Sequence, residues 1–214
     1  MDIHAGKRVL GIDESGKGDF FGPLVIAGVL ADDNGARRLL EKGIKDSKKI
    51  SDNRIRELSK WIADSFVHTV VLIGPGKYNQ LYRKIGNLNR LLAWGHSRVI
   101  ENIAAANAVD LAVSDKFGRR DSIENALMEK GRDIELVQRV RGESITQVAA
   151  ASILARARFV EYMRKLSGEC GMTLPLGAGD RVDAAARELV ARSGREVLEK
   201  TAKIHFKNYR KVLE

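Results

Sequence analysis

The sequence predicts an α/β fold in which a mixed central β-sheet is flanked by helices and followed by a helical C-terminal region. Three observations carry that expectation. Two apolar runs, Arg8–Asp13 and Leu24–Leu30, lie near the start of the chain on either side of a glycine-rich segment. Helical and strand periodicities then alternate from Ser51 to Val140. Beyond Ser144 only helical spacing remains.

The first apolar run partly alternates and the second is almost wholly apolar, so both read as strands with a hairpin-like connection. Ser51 caps a helix whose apolar positions Ile55, Leu58, Trp61, Ile62 and Phe66 recur at helical spacing, and Val67–Ile73 follows as a strand. Gly74-Pro75-Gly76 reads as a loop. Leu88–Asn107 is a long helix feeding the strand Leu111-Ala112-Val113, with Asp115 just beyond it. Asp121 or Ser122 opens a further helix that Gly131 closes, before a strand over Ile134–Val140. Ser144-Ile145-Thr146-Gln147 has capping-box spacing and opens a helix, which leaves Glu143 at its mouth. The loop Leu174–Gly179 precedes two more helical patterns, Asp183–Arg192 and Glu196–Leu213, separated by Gly194.

At 214 residues, 44% of them hydrophobic, the chain can bury a substantial core as one domain, residues 1–214, with about 167–214 as a helical cap. There are 37 basic against 28 acidic residues, giving a formal charge of +9 and an attraction for polyanions that makes nucleic acid the natural partner. The single cysteine, Cys170, excludes an intrachain disulfide and a thiolate zinc site. No stretch has signal-peptide or membrane-span length, so a soluble cytoplasmic protein is expected, away from any membrane.

The most telling junction is Asp13-Glu14 followed at once by Ser15-Gly16-Lys17-Gly18. Acids at a strand end can meet a cation at the sheet edge, and a glycine-rich loop lets a phosphate backbone come close. Together they point to metal-dependent phosphodiester chemistry.

The longer string Gly11-Ile12-Asp13-Glu14-Ser15-Gly16-Lys17-Gly18-Asp19-Phe20-Phe21-Gly22-Pro23 resembles the signature of the type 2 ribonuclease H family. The resemblance covers essentially the whole chain and implies a ribonuclease H-like fold with a parallel central strand pair. It also implies an endoribonuclease that hydrolyses the RNA strand of RNA/DNA hybrids with two Mg2+ or Mn2+ ions, leaving 5′-phosphate and 3′-hydroxyl ends. Asp13 and Glu14 match the first two family acids, Asp115 the third and Glu143 the fourth. The match at Glu143 rests on the helix-like Val148–Ala155 that follows. Taken alone, Asp115 reads as a solvated strand-end acid and Glu143 as a charge favoured by a helix dipole. Their order and context make them ligands. The resemblance is consistent with Asp13 bridging both metals, Glu14 and Asp115 on the leaving-group side, and Glu143 near the metal that activates water.

Substrate contacts are expected from Ser15, Gly16, Lys17 and Gly18, where close backbone approach can read the 2′-hydroxyl that marks RNA. Lys45–Lys49 resembles a phosphate-contacting stretch, with Ser47 and Lys48 the candidates and a solvated charge run the competing reading. Lys17, Glu143 and Gly177-Ala178-Gly179 stand where ribonuclease HII members usually have Arg, Asp and a junction-sensing Gly-Tyr-Gly. All three differences favour resemblance to ribonuclease HIII. That group usually carries an N-terminal substrate-binding domain, which is expected to be missing here because only about a dozen residues precede Asp13. Asn87, Asn89 and His96 also look like ribonuclease HIII, with His96 read as a satisfied structural histidine. A monomer without an obligate protein partner is expected. The competing functions are a ribonuclease HII-like enzyme cutting at single ribonucleotides in duplex DNA, a non-catalytic hybrid binder, and another nuclease of the same superfold.

Overall fold

The computed structural model describes residues 6–44, 50–115, 131, 134–139 and 142–214. These fall into two compact units. The first comprises the residues up to Glu14, Ile26–Val71 and Leu88–Ala157; the second comprises Ser15–Val25, Leu72–Asn87 and Arg158–Glu214.

A five-stranded mixed sheet is built from β1 (Val9–Ser15), β2 (Leu24–Ala31), β3 (Val67–Ile73), β4 (Leu111–Asp115) and β5 (Glu135–Arg139), in the order β3-β2-β1-β4-β5. β2 is buried at every position and β1 over its first four residues, whereas β3, at the edge of the order, is buried only at Ile73. Strands covered on both faces must be apolar throughout, which is why Leu24–Leu30 shows no alternation.

β1 and β4 run parallel with Val9 opposite Leu111 and Ile12 opposite Ser114, and β4 and β5 run parallel with Leu111 opposite Glu135 and Asp115 opposite Arg139. Parallel neighbours need helical crossovers, and α4 (Leu88–Ala104) precedes β4 in that role. α5 (Thr146–Glu169) begins hard against β1: a β-carbon on Gly11 would lie 2.1 Å from the carbonyl carbon of Gln147. Val9, Leu111, Val113, Ile145 and Val148 close one buried cluster around this contact, with Val137 packed against it.

Two helices of this unit start where a side chain supplies a cap. Asp32 accepts the Gly35 amide at 2.8 Å to open α1 (Asp33–Glu41), which the sequence pattern did not predict, and Ser51 caps α2 (Asp52–Ser65) as expected. The capping box expected at Ser144 does not form. Gly142–Ser144 makes a 3-10 turn, Ile145 becomes the residue whose carbonyl accepts the Ala149 amide, and Gln147 instead donates to the Ala31 carbonyl at 3.3 Å. A buried carbonyl at the end of β2 thereby gains a partner that a box would have used locally. The helix expected from Asp121 or Ser122 falls outside the described residues.

In the second unit Gly74-Pro75-Gly76 is the start of a helix rather than a loop. Gly74 precedes α3 (Pro75–Ile85), and Pro75 at its first position has no amide to lose. α6 (Asp180–Ser193) follows the Leu174–Gly179 loop. The pattern over Glu196–Leu213 is two helices, α7 (Val197–Thr201) and α8 (Lys207–Leu213). The break between them exists because residues 201–203 pair with residues 20–22: Gly22 donates to the Thr201 carbonyl at 2.9 Å and Lys203 to the Phe20 carbonyl at 2.8 Å. The Lys203 side chain, 0% exposed, continues the same seam, its Nζ donating to the Asp19 carbonyl at 2.7 Å and lying 5.8 Å from the centre of the Tyr78 ring.

Two predictions follow from this packing. In Gly11→Ala the added methyl meets backbone that cannot rotate aside, so we expect a loss of about 2 kcal/mol or more, read as a melting point lowered by about 4–8 °C. Burial drives the Lys203 amine down from 10.5 to about 7. Between those limits the unfolded chain binds one more proton than the folded one, so this group makes stability rise with pH from about 7 to 10.5. Denaturant unfolding across that window should show the rise, and Lys203→Met should remove it.

Candidate active site

In the first unit Asp13 and Glu14 lie near the carboxyl end of β1 and Asp115 at that of β4, where open α/β sheets place their sites. The pairing of β1 with β4 runs from Val9 opposite Leu111 to Ile12 opposite Ser114, and Asp13 and Asp115 are the residues that follow this last pair on their strands. Asp13 Oδ1 accepts the Glu14 amide at 2.8 Å, and both residues are partly buried. Asp115 ends β4, part-buried, and its Oδ1 accepts the Gly142 amide at 3.2 Å. That bond seats the 3-10 turn Gly142–Ser144 on the end of β4, which brings the backbone of Glu143 next to Asp115 in the chain that leads into α5. The Glu143 side chain is outside the described set.

Glu14 is further enclosed by a residue that sequence reasoning treated as structural. His96 on α4 is 0% exposed, and its Nε2 lies 3.2 Å from Glu14 Oε2, whose side chain is 11% exposed. A signal for this was present. His96 falls on the same buried stripe as Leu92, Val99, Ile100 and Ile103, and a polar ring among apolar neighbours must find a partner. Asn87 and Asn89, from the same segment, are exposed.

Among the described residues no three His, Cys, Asp or Glu side chains close into a ready-made metal cage. The donor chemistry nonetheless fits hard divalent cations. Asp13, Asp115 and Glu14 offer only carboxylate oxygens, which suit Mg2+ and Mn2+, and such ions keep several waters rather than demanding a complete protein shell.

The glycine loop, in the second unit, divides into a structural and an open half. Gly16 has φ +88°, and a β-carbon there would lie 2.2 Å from the Pro23 carbonyl oxygen and 2.7 Å from the Phe159 ring, so only glycine fits. Gly18 is exposed with nothing within 4 Å of such a carbon, leaving its backbone open to an approaching ligand. Ser15 ends β1 and Lys17 is half-exposed. The next residues are tied down: Asp19 Oδ1 accepts the Gly177 amide at 2.6 Å and Phe20 donates to the Gly177 carbonyl at 2.8 Å. Ala178 is exposed beside that tie. Ser47 and Lys48 lie outside the described residues.

Comparison with known proteins gives this arrangement a family. The model described as Ribonuclease HII matches residues 10–209. A ribonuclease HIII of Chlamydia pneumoniae is 46% identical over 203 residues, covering 94% of this chain and 68% of that protein. One of Protochlamydia amoebophila is 42% identical over 204 residues, covering 95% and 68%. Among solved structures, that of Bst-RNase HIII in complex with Mn2+ superposes with a TM-score of 0.90 at 34% identity, covering 99% of this chain and 70% of the other. With the family model spanning both the strand-end acids and the C-terminal helices, the chain belongs to the ribonuclease HII family, and within it is similar to proteins named ribonuclease HIII.

Proposed function

We propose that this chain is a ribonuclease H: an endonuclease that hydrolyses the RNA strand of RNA/DNA hybrids, leaving 5′-phosphate and 3′-hydroxyl ends. The observation that supports the site is the parallel pairing of β1 with β4, whose last pair, Ile12 opposite Ser114, immediately precedes Asp13 and Asp115. Asp13, Glu14, Asp115 and Glu143 are the residues that would hold two Mg2+ or Mn2+ ions, and a similar structure, Bst-RNase HIII, was solved with Mn2+. When bound, the ions supply an activated water and relieve charge on the scissile phosphate. The protein's own part is to gather carboxylates that would repel one another if the fold did not hold them in place.

Recognition of the hybrid falls to the loop Ser15–Gly18. The open backbone at Gly18 can approach the sugar edge, where the 2′-hydroxyl separates RNA from DNA, while Gly16 holds the turn. Lys17, with Ser47 and Lys48, would meet phosphates, in keeping with the formal charge of +9. Ala178 supports the choice of substrate: no aromatic ring is available there to stack on the nucleotide at an RNA-to-DNA junction, which favours stretches of RNA over single ribonucleotides. We take residues 1–214 as one catalytic domain, acting as a monomer in the cytoplasm. No helix among the described residues is long and apolar enough to cross a membrane.

Replacing Asp13 with Asn removes a full charge at nearly constant shape. If that forfeits about 3 kcal/mol of transition-state stabilisation, turnover falls at least about 100-fold, with hybrid affinity kept. A variant within a few-fold of the parent would overturn the assignment.

Substrate preference is tested with a uniform hybrid and a DNA duplex carrying one ribonucleotide, each with Mg2+ or Mn2+. The duplex should be cut at least about tenfold more slowly, the scale of one missing aromatic stack. Preference for the single ribonucleotide would favour the ribonuclease HII-like activity, and a shifted but uncut hybrid would mark a binder.

A further inference from the structure

We propose that His96 is a positioning residue for this reaction: its imidazole fixes the Glu14 carboxylate in the orientation that the cations of the site require. The inference rests on the reading of Glu14 as a metal ligand.

His96 Nε2 and Glu14 Oε2 are 3.2 Å apart, although 82 residues separate them in sequence. An ionised carboxylate can only accept, so the ring donates its Nε2–H. The imidazole is wholly buried and the carboxylate nearly so, and within such surroundings a hydrogen bond between them is stronger than in water. Neither partner is free to drift. His96 sits in the middle of α4, and a β-carbon on the preceding Gly95 would lie 2.0 Å from Ile26 Cδ1, so this turn of the helix rests directly on β2. Glu14 is in β1, next to Asp13.

A carboxylate on three rotatable bonds loses considerable freedom when it binds a cation. With one oxygen already held by a ring whose own helix is pinned to the sheet, part of that freedom is lost during folding, and the remaining lone pairs point in a set direction. Partners of this kind behind metal-binding carboxylates change metal affinity or activity by about 10-fold to 100-fold when removed. A histidine that merely filled space would affect melting and leave metal affinity alone, which separates the two roles.

The experiment compares His96→Leu, His96→Gln, Glu14→Gln and the His96→Leu/Glu14→Gln double variant by thermal melting, Mn2+ calorimetry, and kcat and KM on a uniform hybrid. His96→Leu removes the donor, and His96→Gln returns an N–H near the position of Nε2. For His96→Leu we expect weaker Mn2+ binding and a lower kcat, each by about 10-fold or more, with KM for the hybrid unchanged. His96→Gln should recover most of both losses, and the double variant should be no worse than Glu14→Gln alone.

His96→Leu within twofold of the parent in Mn2+ affinity and kcat would overturn the proposal. So would a His96→Gln variant as impaired as His96→Leu, or losses that multiply in the double variant. If His96→Leu does not fold, His96→Asn replaces it, because its amide mimics Nδ1 rather than Nε2: weaker Mn2+ binding for Asn than for Gln supports the proposal, and equal binding overturns it. Glu14→Gln with unchanged Mn2+ affinity would instead overturn the reading of the site itself, and the inference with it.

Discussion

The backbone hydrogen bonds that lock β1 to β4 in parallel also decide which side chains share the edge of the sheet. With Ile12 held opposite Ser114, Asp13 and Asp115 each follow directly on the last residue of that pairing. A slip of one residue would turn every side chain of β1 to the other face and send the acid to the far side of the sheet. The close seat of α5 against Gly11 resists that slip, because only at this residue does the strand lack the carbon that would collide with Gln147. The helix in turn fixes the turn before it, where the Gly142 amide meets Asp115. Packing two residues away from the chemistry therefore sets the chemistry's geometry.

Much of this was legible in the sequence because it depends on local rules. Apolar runs with no alternation mark covered strands, and Ser51 announces its helix by a cap that needs no distant partner. The motif singles out the acids at positions 13, 14, 115 and 143, and the structure puts Asp13 and Glu14 in β1 and Asp115 at the end of β4, its parallel neighbour. What was not legible depended on partners far along the chain. Ser144 and Gln147 satisfy a capping rule on paper, yet the carbonyl of Ala31 competes for Gln147 and wins. The helical pattern from Glu196 to Leu213 is broken at Lys203 because that backbone pairs with Phe20. His96 is buried and partnered, as a structural histidine is expected to be, but its partner, Glu14, lies on a different element and could not be named from the sequence. At Gln147 and Lys203 a long-range hydrogen bond overrode a short-range propensity.

The second unit treats charge differently from the first. In the first, Asp13 and Glu14 lie at the end of β1 and Asp115 at the end of β4, all partly buried. In the second unit each buried charge meets its match within the protein. Asp183 receives Asn208 and Lys211, and hydrogen bonding to Lys211, more than any other cause, holds its carboxyl below the usual range. Lys203 resolves the same conflict by giving up its proton more readily.

The loop that would meet the hybrid is stitched at its far end on both flanks. Asp19 and Phe20 are tied to Gly177, and residues 20–22 are paired with residues 201–203, while Gly16 is wedged between Pro23 and Phe159. Such a loop has surrendered its conformational entropy before any nucleic acid arrives. Association then has little disorder left to remove on the protein side, and more of the contact energy appears as affinity. In a chain whose other attraction for polyanions is diffuse charge, that economy would let a few backbone groups carry the proposed discrimination of a ribose from a deoxyribose.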